Sequence, residues 1–292
     1  MNAYIATEYG ALNSQPVFDA FRAGISLHGD NICDDYRNAD VIIIWSFLFT
    51  GRMAGNKTLW DYARKKQIPV VIIEVGALKR GESWKVGIDG INNTATWIDP
   101  FQENRLQNKF GIIPSHFKTE GEFITIFGQR PDSQQWAGMP DLSDWMTSII
   151  EEVRLWSDFP IVVRPHPRDK LTDWSFLNKF SELYFDMPQP MEGTYDSFNH
   201  IDILARTALA VNYSSGPSIQ AALMGVPVLC SHDSLAWDIS IKSAQFINKW
   251  IPPSDEEINN WSQMISHTEW FVDEMSDGTV WKHLREKLCD YD

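Results

Sequence analysis

The chain has 292 residues, 43% hydrophobic and 22% charged, an ordinary profile for a soluble globular protein and enough length for one large domain or two smaller ones. Its net charge of −14 lies entirely beyond residue 115, because residues 1–115 are electrically balanced, so a uniformly basic nucleic-acid-binding surface is excluded. The three cysteines, Cys33, Cys230 and Cys289, are far apart and fit no CxxC or Cys/His metal spacing, which reads as reduced thiols and excludes a disulfide framework.

The opening "MNAYIATEYG" lacks the basic-then-apolar pattern of a signal peptide. The longest apolar run, "VIIIWSFLF", is half the length that crosses a bilayer. A cytoplasmic protein is expected, meeting a membrane only peripherally.

In chain order, "AYIATEYG" predicts a strand ending in a turn. "SQPVFDAFRAGISLHG" carries apolar residues at helical spacing and ends in glycine, as a helix does. "ADVIIIWSF" predicts a buried strand, "GNKTLWDYARKKQ" an amphipathic helix, and "PVVIIEVG" a second buried strand. Buried β-branched runs joined by helices imply a parallel sheet with helices on both faces. The stretch "GALKRGESWKVGIDGINNTATWIDP" reads as loop. The pattern then restarts. "GEFITIFGQ" predicts a strand, and "LSDWMTSIIEEVRLW" a helix with Ser143 as its cap. "PIVVRPHP" is a strand, "DILARTALAVNYSS" a short helix and a strand, "GPSIQAALMG" a helix and "VPVLC" a strand. Two helical segments close the chain, "SDEEINNWSQMISHTEWFVDEM" and "TVWKHLREKLCD". The reading gives two α/β halves with the break near residues 105–120. In open parallel sheets, ligands sit at the carboxyl ends of the strands.

Several common chemistries are absent. There is no GxGxxG fingerprint after the first strand, and no P-loop, GxSxG elbow or HExxH anywhere. A serine–histidine hydrolase lacks a marked acid partner. Three strand ends look suited to an anion instead. In "IVVRPHPRDK", Arg164, His166 and Arg168 follow a strand, and two prolines stiffen the turn. In "VNYSSGPSIQAALMG", Ser214, Ser215 and Gly216 turn into a helix opened by Pro217, aiming hydroxyls and backbone N–H groups at one point. Those serines also read simply as helix caps. In "ITIFGQRPDSQQW", Gly128 permits close backbone approach, and Gln129 and Arg130 follow it.

The order strand-Gly-Gln, then "RPHP", then "YSS", a helix and "GVPV" resembles the GT-B glycosyltransferases of the capsule-polysaccharide and bacterial sialyltransferase type, over roughly residues 121–230. The resemblance implies an α/β fold of the GT-B class, two Rossmann-like domains facing across a cleft. It implies residues 1–115 as the acceptor-binding domain. Residues 116–292 would bind the nucleotide sugar, with C-terminal helices able to pack back on the first domain. It also implies His166 and Pro167 as an HP motif and Ser214 and Ser215 as an SS motif, both holding the phosphate of the donor. Gln129, Arg130, Arg164 and Gly216, read from the strand-end turns themselves, and Gln220 complete the expected donor site, with a UDP-sugar the expected donor. Gln220 stands where many GT-B enzymes carry a ribose-binding glutamate, which leaves the nucleotide open.

The stretch "EVGALKRGESWKVGIDGIN", with the compact size, is similar to phage proteins that glycosylate hydroxymethylpyrimidines in DNA, including bases already glucosylated. Residues 45–85 carry Arg52, Lys57, Arg64, Lys65, Lys66, Lys79, Arg80 and Lys85 against Asp61, Glu74 and Glu82. That local excess suits a polyanion and equally suits a solvated helix face. Lys79, Arg80, Trp84 and Lys85 are the expected acceptor-binding residues. Trp45, Trp84 and Trp97 read as stacking surfaces or as core. Glu74 and Glu8, each near the end of a strand, are the candidates to take the acceptor proton. The plainer reading of Glu74 is a buried partner for Lys79 or Arg80. No DxD-like metal pair stands out, and inversion and retention are both open. The favoured acceptor is modified phage DNA. A capsule or surface glycan is the competing acceptor, and a non-catalytic nucleotide-binding module the competing class.

Overall fold

The computed structural model describes residues 1–194 and 197–290. The chain forms two compact units. The first comprises Met1–Arg105, Ser133–Gln135 and the chain from Met264 onward; the second comprises Leu106–Asp132 and Trp136–Gln263.

The first unit opens with β1 (Asn2–Ile5), α1 (Gln15–Leu27), β2 (Asn31–Ile32), β3 (Val41–Trp45), α2 (Asn56–Lys66), β4 (Val70–Val75) and β5 (Ser83–Ile88). β2, β1, β3 and β4 run parallel in that spatial order. Ile42, Ile43 and Ile44 are wholly buried between helical layers, each contributing about 1.5–3 kcal/mol of apolar burial. Asn56, at the start of α2, is also wholly buried. Its Nδ2 donates to Trp45 O at 2.7 Å and to Tyr9 O at 3.2 Å, tying two strand ends to one helix.

β5 corrects the reading of residues 76–100 as loop: it pairs antiparallel with β4. Its alternation is Ser83, Lys85 and Gly87 on one face, with Trp84, Val86 and Ile88 in the core on the other. The glycines and charges on either side of this short alternation hid the strand. The sheet is therefore mixed, not wholly parallel.

The second unit contains most of α3 (Arg105–Phe110), then β6 (Phe123–Phe127), α4 (Leu142–Arg154), β7 (Ile161–Arg164), β8 (Leu183–Phe185), α5 (His200–Arg206), β9 (Thr207–Val211), α6 (Pro217–Leu223), β10 (Val228–Leu229) and most of α7 (Asp255–Ser266). Its sheet is parallel throughout, in the order β10-β9-β6-β7-β8. Met146, Ile150 and Val153 of α4 pack on Ile124, Ile126, Ile161 and Val163. Asp141, not Ser143, precedes α4, and Ser143 lies inside its first turn.

The predicted long helix over 254–275 is broken. β11 (Glu269–Phe271) intervenes before α8 (Val272–Ser276) and α9 (Thr279–Cys289). β11 pairs antiparallel with β5, extending the first sheet. Arg105 explains the break. Its Nε donates to Ser266 O at 2.9 Å and its Nη2 to Glu269 O at 3.0 Å. Glu274 accepts from both terminal nitrogens, at 2.5 and 2.7 Å. The guanidinium also lies 4.2 Å from the centre of the Trp270 ring. Carbonyls that would continue the helix are taken by this one buried cation.

Candidate functional site

In the second unit the carboxyl ends of β7, β6 and β9 stand side by side, and each leads directly into one of the predicted turns. Gly128 follows β6. A Cβ on it would lie 3.2 Å from both His166 N and Pro165 Cα, tighter than ordinary contact, so the absence of a side chain lets the two turns close up. Gln129, only 3% exposed, donates from Nε2 to Ser214 Oγ at 3.4 Å. Gln129, His166 and Ser214 are thus brought to one edge.

The β9 turn is shaped by Asn212, also 3% exposed. Its Nδ2 donates to Ser215 O at 2.9 Å and to Ser215 Oγ at 3.1 Å. Arg168 N donates to His166 Nδ1 at 3.1 Å, which leaves the proton of the neutral ring on Nε2. Tyr213 donates to Asp233 Oδ2 at 2.5 Å and packs edge-on against Trp136 and Trp145. Burial, then this bond, push its phenol up to about 12. Gly216 immediately precedes α6, and Gln220 lies one turn into it.

Two buried acceptor atoms at this edge, Gln129 Oε1 and Asn212 Oδ1, have no hydrogen-bond partner among the described residues. Buried polar atoms are rarely left so. Hydroxyls, an imidazole N–H and two unpaired amide oxygens together suit a ligand that carries both anionic oxygens and hydroxyl groups.

Arg164 corrects the expected basic cluster. It is 1% exposed, its Nη1 pairs with Asp186, and its Nη2 donates to Asn199 O at 3.1 Å and Asn199 Oδ1 at 2.5 Å. It braces β7 from within and is not presented to a ligand. Arg130 pairs with Asp132 at 2.6 Å.

The first unit gathers a different set at the carboxyl edge of its parallel strands. Glu74 does not pair with Lys79 or Arg80 within 4 Å among the described residues. Ser46 Oγ donates to Glu74 Oε2 at 2.7 Å, and Val75 N donates to Oε1 at 2.9 Å. Ser46 has φ +68°, left-handed backbone unusual for serine, and Leu48 N donates to its hydroxyl at 3.1 Å. Glu8, exposed, accepts from Tyr4 OH at 2.7 Å.

The predicted basic stretch is divided by the topology. Arg52, Lys79 and Arg80 follow strand ends at the carboxyl edge, while Arg64, Lys65 and Lys66 finish α2 at the opposite edge, where Arg64 pairs with Asp89. Lys57 pairs with Asp61 at 2.6 Å. Trp45 and Trp84 are core residues, the second of the two readings given them, so Trp84 is corrected as an acceptor-binding residue. Lys85 is 9% exposed, and burial holds its amine below the usual lysine range. Sequence reasoning missed Asn212 and Ser46; a polar residue at a strand's end was the available signal. Among the described residues no group of three or more His, Cys, Asp or Glu is placed to hold a metal, and no helix is long and apolar enough to cross a membrane.

The sequence matches no protein-family model and no curated protein. Its fold is similar to the solved structure described as Thermosulfurimonas dismutans KpsC, beta Kdo 2,7 transferase, with 12% identity over 98% of this chain and 99% of that one and a TM-score of 0.53. The structure described as Thermosulfurimonas dismutans KpsC, beta Kdo 2,4 transferase matches with 12% identity over 90% of each chain and a TM-score of 0.49. This chain has the α/β fold of the GT-B class, with two Rossmann-like units.

Proposed function

We propose that the protein is a glycosyltransferase that moves a sugar from a nucleotide-sugar donor, a UDP-sugar in the simplest case, to a hydroxyl acceptor. The observation that carries this is the edge of the second sheet, where His166, Ser214 and Ser215 adjoin the unpaired oxygens of Gln129 and Asn212. As the bond from sugar to phosphate breaks, negative charge grows on the leaving oxygen. The Nε2–H of His166 and the hydroxyls of Ser214 and Ser215 are the donors assigned to it, and fixed donors of this kind stabilise such charge without reorganising. Gln129, Asn212 and Gln220 are assigned to hydroxyls of the nucleotide sugar. Arg130, already paired with Asp132, is assigned a supporting place near the phosphate.

Glu74 is assigned the acceptor proton. The Ser46 hydroxyl and the Val75 amide fix its carboxylate, and a fixed base at a strand end is what proton removal needs. Glu8 is the alternative base. Lys79, Arg80 and Lys85 are assigned to the acceptor.

The favoured acceptor is a hydroxymethylated or already glucosylated pyrimidine in phage DNA, in a host cytoplasm. Basic residues at the carboxyl edge of the first sheet support it. A second reading, a capsule or surface glycan, is supported by the fold likeness to the KpsC transferase. Labelled nucleotide sugars offered with hydroxymethylcytosine DNA, plain or glucosylated, and with acidic and neutral oligosaccharides test both. Label on the DNA is expected. Label on an oligosaccharide alone ends the DNA reading, and nucleotide binding with no transfer to any acceptor supports a non-catalytic module.

A further inference from the structure

Lys85 has an uncommon setting. It is the middle of a row of register partners on three neighbouring strands, Glu74 on β4, Lys85 on β5 and Glu269 on β11, which places all three side chains on one face of the sheet. A buried lysine between two glutamates is ordinarily an ion pair. Neither carboxylate is hydrogen-bonded to the amine among the described residues, although the charge of Glu269 and of Glu74 acts on it. Glu269 Oε1 accepts from Ala77 N at 2.6 Å, and Oε2 from Leu78 N at 3.1 Å and Ser83 Oγ at 2.8 Å. It closes the turn between β4 and β5, and a Cβ on Gly76 would collide with it. Glu74 is held by Ser46 and Val75.

Among the described residues, Lys85 Nζ makes no hydrogen bond and has no carboxylate oxygen within 4 Å. An ammonium carries three donors and is strongly hydrated. The side chain is 9% exposed and its amine is not one of the fully enclosed atoms, so water or the oxygens of a ligand can reach it. The charge around the amine is mixed: Glu74 and Glu269 keep their negative charge while accepting from neutral amides and hydroxyls, and basic residues stand beside them. Arg80 lies close enough for its charge to act on the Lys85 amine, and Lys79 sits in the same turn with its amine 5.9 Å from the centre of the Phe271 ring.

We propose that Lys85 is the floor of an acceptor subsite for a compact anionic group, a carboxylate or a phosphomonoester carried on a carbohydrate. The inference rests on the reading of the first unit as the acceptor side. This ligand belongs to the glycan reading, the second of the two above; under the DNA reading, exposed and extended arrays of Lys and Arg rather than one sunken amine would grip the backbone phosphates. Glu74, the register partner of Lys85, then lies beside the anchored acceptor.

The test is binding, not transfer, so it stands apart from the donor reading. The full chain is titrated with glucuronate, glucose 6-phosphate, glucose and a hydroxymethylcytosine duplex at constant ionic strength, followed by ligand-observed NMR. UDP affinity is measured in parallel. The wild type is expected to bind glucuronate or glucose 6-phosphate at least about tenfold more tightly than glucose, the scale of one charge-assisted contact. Lys85→Met is expected to erase that preference, and Lys85→Arg to keep most of it. UDP affinity stays unchanged in both. If Lys85→Met does not fold, Lys85→Gln takes its place. The arm that binds tells carboxylate from phosphoryl. Equal binding of glucose and both anions by the wild type, an anion preference that survives loss of the amine, or a Lys85-dependent grip on the duplex alone overturns the proposal. Lost UDP binding with an intact Lys85-dependent preference would overturn the donor reading and leave this one standing.

Discussion

Arg164 and Lys85 are both buried cations at the carboxyl edge of a sheet, one in each unit, and their surroundings differ completely. The terminal nitrogens of Arg164 are taken by Asp186 and Asn199. Lys85 stands between two glutamates that spend their oxygens elsewhere. Both terminal nitrogens of Arg164 are thus spent within the fold, while its buried Nε has no partner among the described residues. The Lys85 amine makes no such bond, which is the ground of the acceptor subsite proposed for it. The same contrast separates the two edges. The second unit presents hydroxyls, an imidazole and unpaired amides, chemistry for holding a ligand. The first presents a fixed carboxylate in register with a lysine amine, the pair to which the acceptor roles proposed above are given.

The strongest way to break this comparison is Glu74→Gln. If the first edge is the reactive one, transfer falls about 10²–10⁴-fold, the range for losing a general base, while UDP affinity measured by calorimetry is unchanged. Arg164→Met reverses the pattern. It leaves Asp186 and Asn199 without their buried partner and lowers stability in urea unfolding by about 3 kcal/mol, at the low end for a broken buried pair because Asp186 is partly exposed. Next come His166→Ala and the paired Ser214→Ala/Ser215→Ala change. Each weakens UDP binding by about 1.5–3 kcal/mol per lost charge-assisted bond, with the urea midpoint little moved. Unchanged affinity in both removes the second edge as the donor site.

A buried anion offers a further contrast. Asp30 accepts from the Met1 amine at 2.8 Å, Trp281 Nε1 at 2.8 Å and Arg285 Nε at 2.9 Å. Burial pushes its carboxyl up, but these partners outweigh that and hold it below the usual range. Because the folded value is the lower one, its stabilisation is complete above about pH 5 and fades as pH falls through the folded value. Asp30→Asn is expected to flatten the acid limb of a stability–pH profile, costing about 1–2 kcal/mol at neutral pH. The smallest effect is Gly128→Ala. Two backbone neighbours at 3.2 Å must give by a few tenths of an ångström, and UDP affinity drops by about 1 kcal/mol with no change in Glu74-dependent chemistry.

The long apolar runs were legible: β3, β4, β6, β7 and β9 and the helices around them stand where periodicity puts them, because burying a β-branched run fixes both its conformation and its place in a sheet. The turns after β6, β7 and β9 were legible as a set. β5 was read as loop although Trp84, Val86 and Ile88 alternate with Ser83, Lys85 and Gly87 as a half-buried strand does; the glycines and charges on either side of that short alternation hid it. β11 was not, because "HTEWFV" has helix-compatible neighbours and becomes a strand only when Arg105, more than a hundred residues away, takes the carbonyls of Ser266 and Glu269.

The sequence alone determined two α/β halves and three polar turns at the ends of parallel strands, because hydrophobic period, proline and glycine act locally. It could not tell Arg164 from His166, two residues apart in one motif, or Lys85 from the exposed lysines near it. Whether a charged group is presented or enclosed depends on partners brought from distant segments: Asp186 and Asn199 for one, Glu269 and the turn it closes for the other. Burial and pairing are properties of the assembled fold, and only the tertiary structure decided which cations are bonded within the protein and which are not.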